Sequence, residues 1–143
     1  MDRPAPQIFK VRDEIDDGSF DGLHPNIPAM PSLCLIIGSV RSGKSNLLVN
    51  FFCSEQFYKD KFDVVRIVST TMHSDNKGKI LSKYFDCSDH YDDKIITDIK
   101  ASQGAYKEKV DRPKYALVLD DVLTKDFSKN NEVSFFSTRF RHY

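Results

Sequence analysis

Short apolar segments alternate along the chain with segments of helical periodicity. Three segments combine strand length with a nearly continuous apolar run: 32–37 (SLCLII), 63–70 (DVVRIVST) and 115–122 (YALVLDDV). Runs of this kind are typical of parallel strands covered on both faces, with the helices between them as crossover connections. We therefore predict an α/β fold with a mostly parallel sheet.

Three further segments carry apolar residues at helical spacing. They are 44–52 (KSNLLVNFF), 92–109 and 131–143 (NEVSFFSTRFRHY). The apolar side chains on their stripes are Leu47, Leu48, Phe51 and Phe52 in the first, Ile95, Ile96 and Ile99 in the second, and Val133, Phe136 and Phe140 in the third. We predict a helix for each segment, a loop over 70–79 and a short helix over 80–85.

Residues 1–31 differ in composition from the rest of the chain. They contain five of the six prolines, and their apolar residues follow no steady period. Because proline fixes φ and removes a backbone donor, such a segment is not expected to build a core. We predict an extended Pro-rich leader over 1–31 and one domain over 32–143.

A phosphate-binding motif follows the first predicted strand. Residues 38–45 read GSVRSGKS, a complete GxxxxGK[ST] pattern. Its glycines allow the loop to curl, so that backbone N–H groups bind phosphate oxygens at a helix N-terminus. We expect Lys44 beside the β- and γ-phosphates of ATP and the Ser45 hydroxyl on Mg²⁺. The predicted nucleotide-binding residues are Gly38, Ser39, Val40, Arg41, Ser42, Gly43, Lys44, Ser45 and Asn46.

Two carboxylates end the third predicted strand. In a P-loop protein, an acid at the end of a neighbouring strand holds the Mg²⁺, and Asp120 is the candidate for this position. Asp121 follows directly and is placed to polarise the water that attacks the γ-phosphate. Taken without the motif, the same pair also fits a solvated turn or a helix cap.

The last segment carries Arg139 and Arg141. In ring ATPases, an arginine from a neighbouring subunit commonly neutralises charge on the γ-phosphate, and these two residues are the candidates. A solvated helix end, where cations suit the helix dipole, is the alternative interpretation. Arg41 inside the phosphate loop is a competing source of positive charge.

Composition excludes several classes of protein. The chain has 143 residues, with 21 Lys and Arg against 21 Asp and Glu, so its formal net charge is zero. This balance argues against non-specific coating of nucleic acid, although local DNA contacts stay open. No apolar run exceeds five residues, whereas a membrane span needs about 20. The three cysteines form no CxxC pair, which fits a reducing compartment. We expect an intracellular protein with no membrane partner.

Taken together, the motifs resemble those of a family of viral motors. The segments LCLIIGSVRSGKSNLL, YALVLDDV and STRFRHY are similar to those of the DNA-packaging ATPases of poxviruses and other large cytoplasmic DNA viruses, in the FtsK/HerA group. The resemblance implies a P-loop NTPase three-layer sandwich and a homo-oligomeric ring that uses ATP to move double-stranded DNA into a capsid. The implied partners are that DNA and capsid or portal-like vertex proteins, in the host cytoplasm (viral factory) or the virion.

The resemblance also assigns roles to residues. Those that match are Gly38, Gly43, Lys44 and Ser45 in the phosphate loop, Asp120 as the metal acid, Asp121 as the catalytic acid, and Arg139 and Arg141 in the arginine-bearing segment. Asp121 departs from the Glu that is usual in the group. The family also continues into a later strand with a polar sensor, which lies between the P-loop strand and the metal-acid strand. We therefore expect an incomplete sheet.

Two other functions stay open. A P-loop nucleotide or small-molecule kinase would need an Arg-rich lid, and the candidate lid, 71–91, contains no arginine. A non-catalytic ATP-binding module fits the missing sensor strand. DNA-stimulated hydrolysis separates the motor from the kinase, and tight ATP binding without turnover indicates the non-catalytic module.

Overall fold

The computed structural model describes residues 26–74, 76–122 and 131–140. The helices are α1 (Lys44–Cys53), α2 (Asn76–Leu81), α3 (Lys94–Gly104) and α4 (Asn131–Arg139), with a 3₁₀ turn at Lys109–Asp111. The strands are β1 (Val64–Ser69), β2 (Asp86–Ser88) and β3 (Tyr115–Asp120). Most of the predicted leader, 1–25, lies outside the described residues, as does the end of the last predicted helix.

The strands form one parallel sheet in the order β2–β1–β3. β1 pairs with both neighbours, so that Ile67 lies opposite Cys87 on one side and Val118 on the other. Parallel neighbours require crossover connections, and the chain between β1 and β3 contains two helices that supply them. The predicted α/β class and the parallel sheet are therefore confirmed for the described part of the chain.

Helices cover both faces of the sheet. Successive strand residues point to opposite faces, and Ile67 and Val68 are both completely buried, in two different clusters. Ile67 packs with Leu48 and Phe52 of α1 and with Leu81 of α2. On the other face, the cluster of Val68 includes Ile95 and Ile99 of α3, with Phe136 of α4 packed against it. A three-stranded sheet between two helical layers is compatible with an incomplete α/β sandwich.

The predicted strand at 32–37 is wrong. These residues adopt no regular secondary structure, and the side chains of Leu35 and Ile37 are 83% and 84% exposed. Both edges of β1 are already occupied, and among the described residues neither β2 nor β3 pairs with this segment. An apolar run has the composition of a strand, but it becomes one only where a neighbour satisfies its backbone hydrogen bonds.

The region between β1 and α3 also differs from the prediction. Helix α2 begins at Asn76, inside the predicted loop, and ends at Leu81, while 82–85 form turns rather than the predicted helix. Strand β2 was not predicted, because three residues are too few to produce a recognisable apolar pattern. Helix α3 is shorter than the predicted 92–109, ending at Gly104.

Within the residues that the structure describes, none of the helices is both long and apolar enough to cross a bilayer.

Candidate phosphate-binding site

The loop that precedes α1 curls through two residues of left-handed conformation. Arg41 has φ 65°, and Gly43, which directly precedes α1, has φ 94° and ψ 6°. The Ser42 N–H donates to the Ser39 carbonyl at 3.2 Å, closing a turn. The Gly43 carbonyl accepts the first helical hydrogen bond, from the Leu47 N–H at 2.9 Å. Glycine adopts such a φ without strain, which accounts for Gly43 in the motif.

Gly38 makes a close approach to a side chain of the same loop. A Cβ built on Gly38 would lie 2.5 Å from the Ser42 Oγ and 3.3 Å from its Cβ. The loop therefore folds back so tightly that its first glycine contacts the side chain four residues later. The two motif glycines thus serve different purposes, one steric and one conformational.

The Lys44 side chain reaches back across this loop. Its Nζ donates to the Gly38 carbonyl at 2.8 Å and to the Ser39 carbonyl at 2.9 Å. An ammonium has three donors, so it can hold the loop together and still offer a further N–H to an anion. The remaining predicted loop residues are solvent-accessible, with Val40 89% exposed and Arg41 and Asn46 also exposed.

The carboxyl ends of β1 and β3 meet beside α1. The strand register places Ser69 opposite Asp120, and the Ser69 hydroxyl donates to the Asp120 Oδ2 at 3.0 Å. Ser69 is only 3% exposed, and its Oγ also lies 3.2 Å from the Thr71 hydroxyl oxygen. One orientation of the Asp120 carboxylate is therefore held by a buried neighbour.

The backbone turns at Asp121, directly after Asp120 ends β3. The φ of Asp121, 53°, is left-handed, a conformation that Asp tolerates better than most residues. The Asp121 side chain is exposed, and its carbonyl accepts a hydrogen bond from the Thr70 hydroxyl at 3.2 Å. The two adjacent carboxylates thus have different surroundings, one held within the sheet edge and the other open to solvent.

A cavity joins the phosphate loop to this sheet edge. Its polar lining residues are Ser45, Ser69, Thr71, Lys77 and Asp120, and its apolar lining residues include Leu48, Met72 and Leu81. The cavity thus brings together the predicted metal ligands Ser45 and Asp120. A hydroxyl and a carboxylate are ligands that Mg²⁺ accepts, and Mg²⁺ usually takes only one or two carboxylates, with phosphates and water completing the octahedron. The described residues contain no cluster of three or more His, Cys, Asp or Glu side chains able to hold a metal.

Arg139, the one of the two tail arginines that the structure describes, does not line this cavity. Arg139 ends α4, which packs beside α3 on the opposite face of the sheet from α1. Its guanidinium lies 4.3 Å from the centre of the Phe135 ring, and the Arg139 side chain is exposed. Arg141 lies outside the described residues.

Three polar residues of the cavity, Ser69, Thr71 and Lys77, were not predicted from the sequence. Ser69 is a polar residue at the end of an apolar strand, and ligands of parallel sheets bind where strands end, so this position was a usable signal. Lys77 lies on a helix that the pattern did not predict, in a polar stretch interpreted as loop.

A scan against protein-family models and searches of curated proteins and of solved structures returned no match to this chain.

Proposed function

We propose that the chain binds a nucleoside triphosphate with Mg²⁺ and hydrolyses it, with ATP as the nucleotide. The observation that carries this proposal is the cavity shared by Ser45 and Asp120, directly after a loop of the GxxxxGK[ST] pattern. Such a loop supplies backbone N–H groups and a lysine to phosphate oxygens, and the cavity supplies oxygen ligands for the metal.

The side chains divide the work by their chemistry. Lys44 contacts the β- and γ-phosphates, and Ser45 and Asp120 hold the Mg²⁺, directly or through its water shell. When bound, the metal neutralises charge that develops on the phosphate oxygens. Asp121, as the exposed acid next to Asp120, orients and polarises the attacking water.

We propose further that this ATPase is a subunit of a motor that packages double-stranded DNA. This step rests on the resemblance of three segments to the viral packaging ATPases, and capsid or portal-like vertex proteins are its proposed partners. The position of Arg139, on the other side of the sheet from Lys44, supports a homo-oligomeric ring in which arginine acts on the neighbouring subunit's nucleotide.

Steady-state ATP hydrolysis, measured with and without double-stranded DNA, tests the proposal. We expect Mg²⁺-dependent phosphate release that is stimulated by DNA and that rises more steeply than linearly with protein concentration. The Lys44→Ala variant loses a charge-assisted contact of about 1.5–3 kcal/mol, so its ATP affinity falls about 10- to 150-fold. Wild-type affinity in that variant would refute the phosphate-loop assignment. DNA-independent phosphate transfer to a small acceptor would instead indicate a kinase.

Mixing of variants tests the ring. Subunits with Lys44→Ala retain their arginines, and subunits with Arg139→Ala and Arg141→Ala retain their phosphate loop. Each preparation is expected to be inactive, and the mixture regains activity where an intact loop faces an intact arginine. Activity that stays at the sum of the two separate preparations would exclude an arginine acting between subunits.

Nucleotide binding without turnover is a second candidate function. It is favoured by residues 32–37, which precede the phosphate loop but make no strand in the described sheet. A loop that is not anchored by a strand holds phosphate less rigidly, and catalysis is more sensitive to such misplacement than binding. ATP binding with no product in single-turnover conditions would favour this candidate over the ATPase.

A further inference from the structure

Lys77 brings a cation to the cavity that the sequence motifs do not account for. It lies on α2 and lines the cavity together with Ser45 and Asp120. Its side chain is half-buried, yet it forms no ion pair with any described residue, Asp120 included. An ammonium that is partly removed from water without a partner gains from an anionic ligand.

Tight backbone packing holds the position of α2. A Cβ on Gly78 would overlap the backbone of Met72, its carbonyl group above all. Met72 and Leu81 on either side are 3% exposed and belong to the same buried cluster as Leu48 of α1. Lys77, next to Gly78, therefore lies on a helix that packs closely against the turn after β1.

The lining of the cavity combines a carboxylate, Asp120, with an amine, Lys77. A carboxylate suits Mg²⁺, and an ammonium suits a phosphate oxygen. The apolar side chains of Leu48, Met72 and Leu81 line the same space, which weakens screening by water. The cavity is small, about 10 Å³, so in the proposed complex the terminal phosphate of ATP extends from Lys44 past Ser45 and lies at the mouth of the cavity.

We propose that Lys77 binds the terminal phosphate of the nucleotide within its own subunit and so distinguishes ATP from ADP. The proposal rests on the proposed nucleotide-binding function and adds a residue to it. Because Lys77 and the phosphate loop belong to one chain, this discrimination does not require a ring. It therefore differs from the role of Arg139, which acts only between subunits.

Calorimetric titration of the full chain with Mg-ATP and with Mg-ADP tests this role. Lys77→Met keeps most of the alkyl stem and removes the charge, while Lys77→Arg keeps the charge. We expect Lys77→Met to weaken ATP binding about 10-fold or more, to leave ADP affinity within about twofold, and Lys77→Arg to restore most of the difference. Lys79→Met is the matched control, since Lys79 is an exposed residue of the same helix that does not line the cavity.

The outcomes separate this proposal from the function on which it rests. Equal losses for ATP and ADP, or no loss in Lys77→Met, would overturn the role of Lys77 while leaving the nucleotide site in place. An equal loss in Lys79→Met would overturn it as well, since general charge on α2 would then explain the effect. If the wild-type chain binds neither nucleotide, the proposed function itself fails, and the role of Lys77 fails with it.

Discussion

Replacing Gly43 by alanine tests whether the conformation of the phosphate loop is what binds phosphate. Gly43 has φ +94°, and a Cβ built on it meets no atom within 4 Å. The substitution therefore creates no clash, and its whole effect comes from the backbone. A non-glycine residue in the left-handed region costs about 1–2 kcal/mol.

The free-energy cost of a left-handed alanine at position 43 is expected to lower either the free energy of unfolding or the affinity for ATP. If the variant loop keeps its shape, the free energy of unfolding falls by about 1–2 kcal/mol and ATP affinity is unchanged. If the loop relaxes to negative φ, stability is retained, but the loop must be strained again on binding, and ATP affinity falls about 5- to 30-fold. The sum of the two losses, in free energy, is expected to be about 1–2 kcal/mol in either case.

Urea unfolding gives the first quantity and calorimetric titration with Mg-ATP gives the second. Gly104→Ala is the matched control, because a Cβ on Gly104 also meets nothing within 4 Å and its φ is not left-handed. Since Gly104 is the last residue of α3, alanine there is expected to be neutral or to stabilise by up to about 1 kcal/mol, with no effect on ATP. A summed loss near zero for Gly43→Ala would refute the requirement for the left-handed turn.

Three further predictions follow from the sheet edge and from the exposed segment. Ser69→Ala removes the hydroxyl that holds Asp120, so we expect the Mg²⁺ concentration for half-maximal ATP hydrolysis to rise about 10-fold, with recovery in Ser69→Thr; an unchanged Mg²⁺ titration would contradict this. Asp121→Asn is expected to bind Mg-ATP normally but to hydrolyse it at least ~100-fold more slowly, and Asp120→Asn to weaken Mg²⁺ dependence and binding together; indistinguishable kinetics of the two variants would contradict this division. Exposed Cys34 is expected to react with a thiol reagent at pH 8 before Cys87 does, because burial raises the pKa of the Cys87 thiol and lowers its thiolate fraction. The reaction rate of Cys87 is then expected to increase with pH. If Cys34 reacts as slowly as Cys87, residues 32–37 are packed rather than exposed.

Local structure could be predicted from the sequence where neighbouring residues determine it. The phosphate loop is an example, since the motif from Gly38 to Ser45 forms a curled turn whose glycines meet requirements within the loop itself. Strands β1 and β3 and helices α1, α3 and α4 were also predicted, because long apolar runs and stripes are strong signals of burial. The loop depends on contacts within a few residues, whereas the apolar runs and stripes indicate only that a segment is buried and do not indicate its neighbour.

The tertiary structure determines which of the apolar segments pair with a neighbouring strand. Residues 32–37 have as apolar a pattern as β3, yet β3 pairs with β1 and residues 32–37 pair with no described strand, because pairing depends on a neighbour that is distant in the chain. The same holds for the cavity, where Ser69 meets Asp120 across 51 positions of sequence and Lys77 arrives on a helix placed by Gly78. The hydrophobic periodicity of the sequence does not predict such contacts between distant residues. Strand register and backbone packing between separate elements produce it, and they are set only when the chain folds.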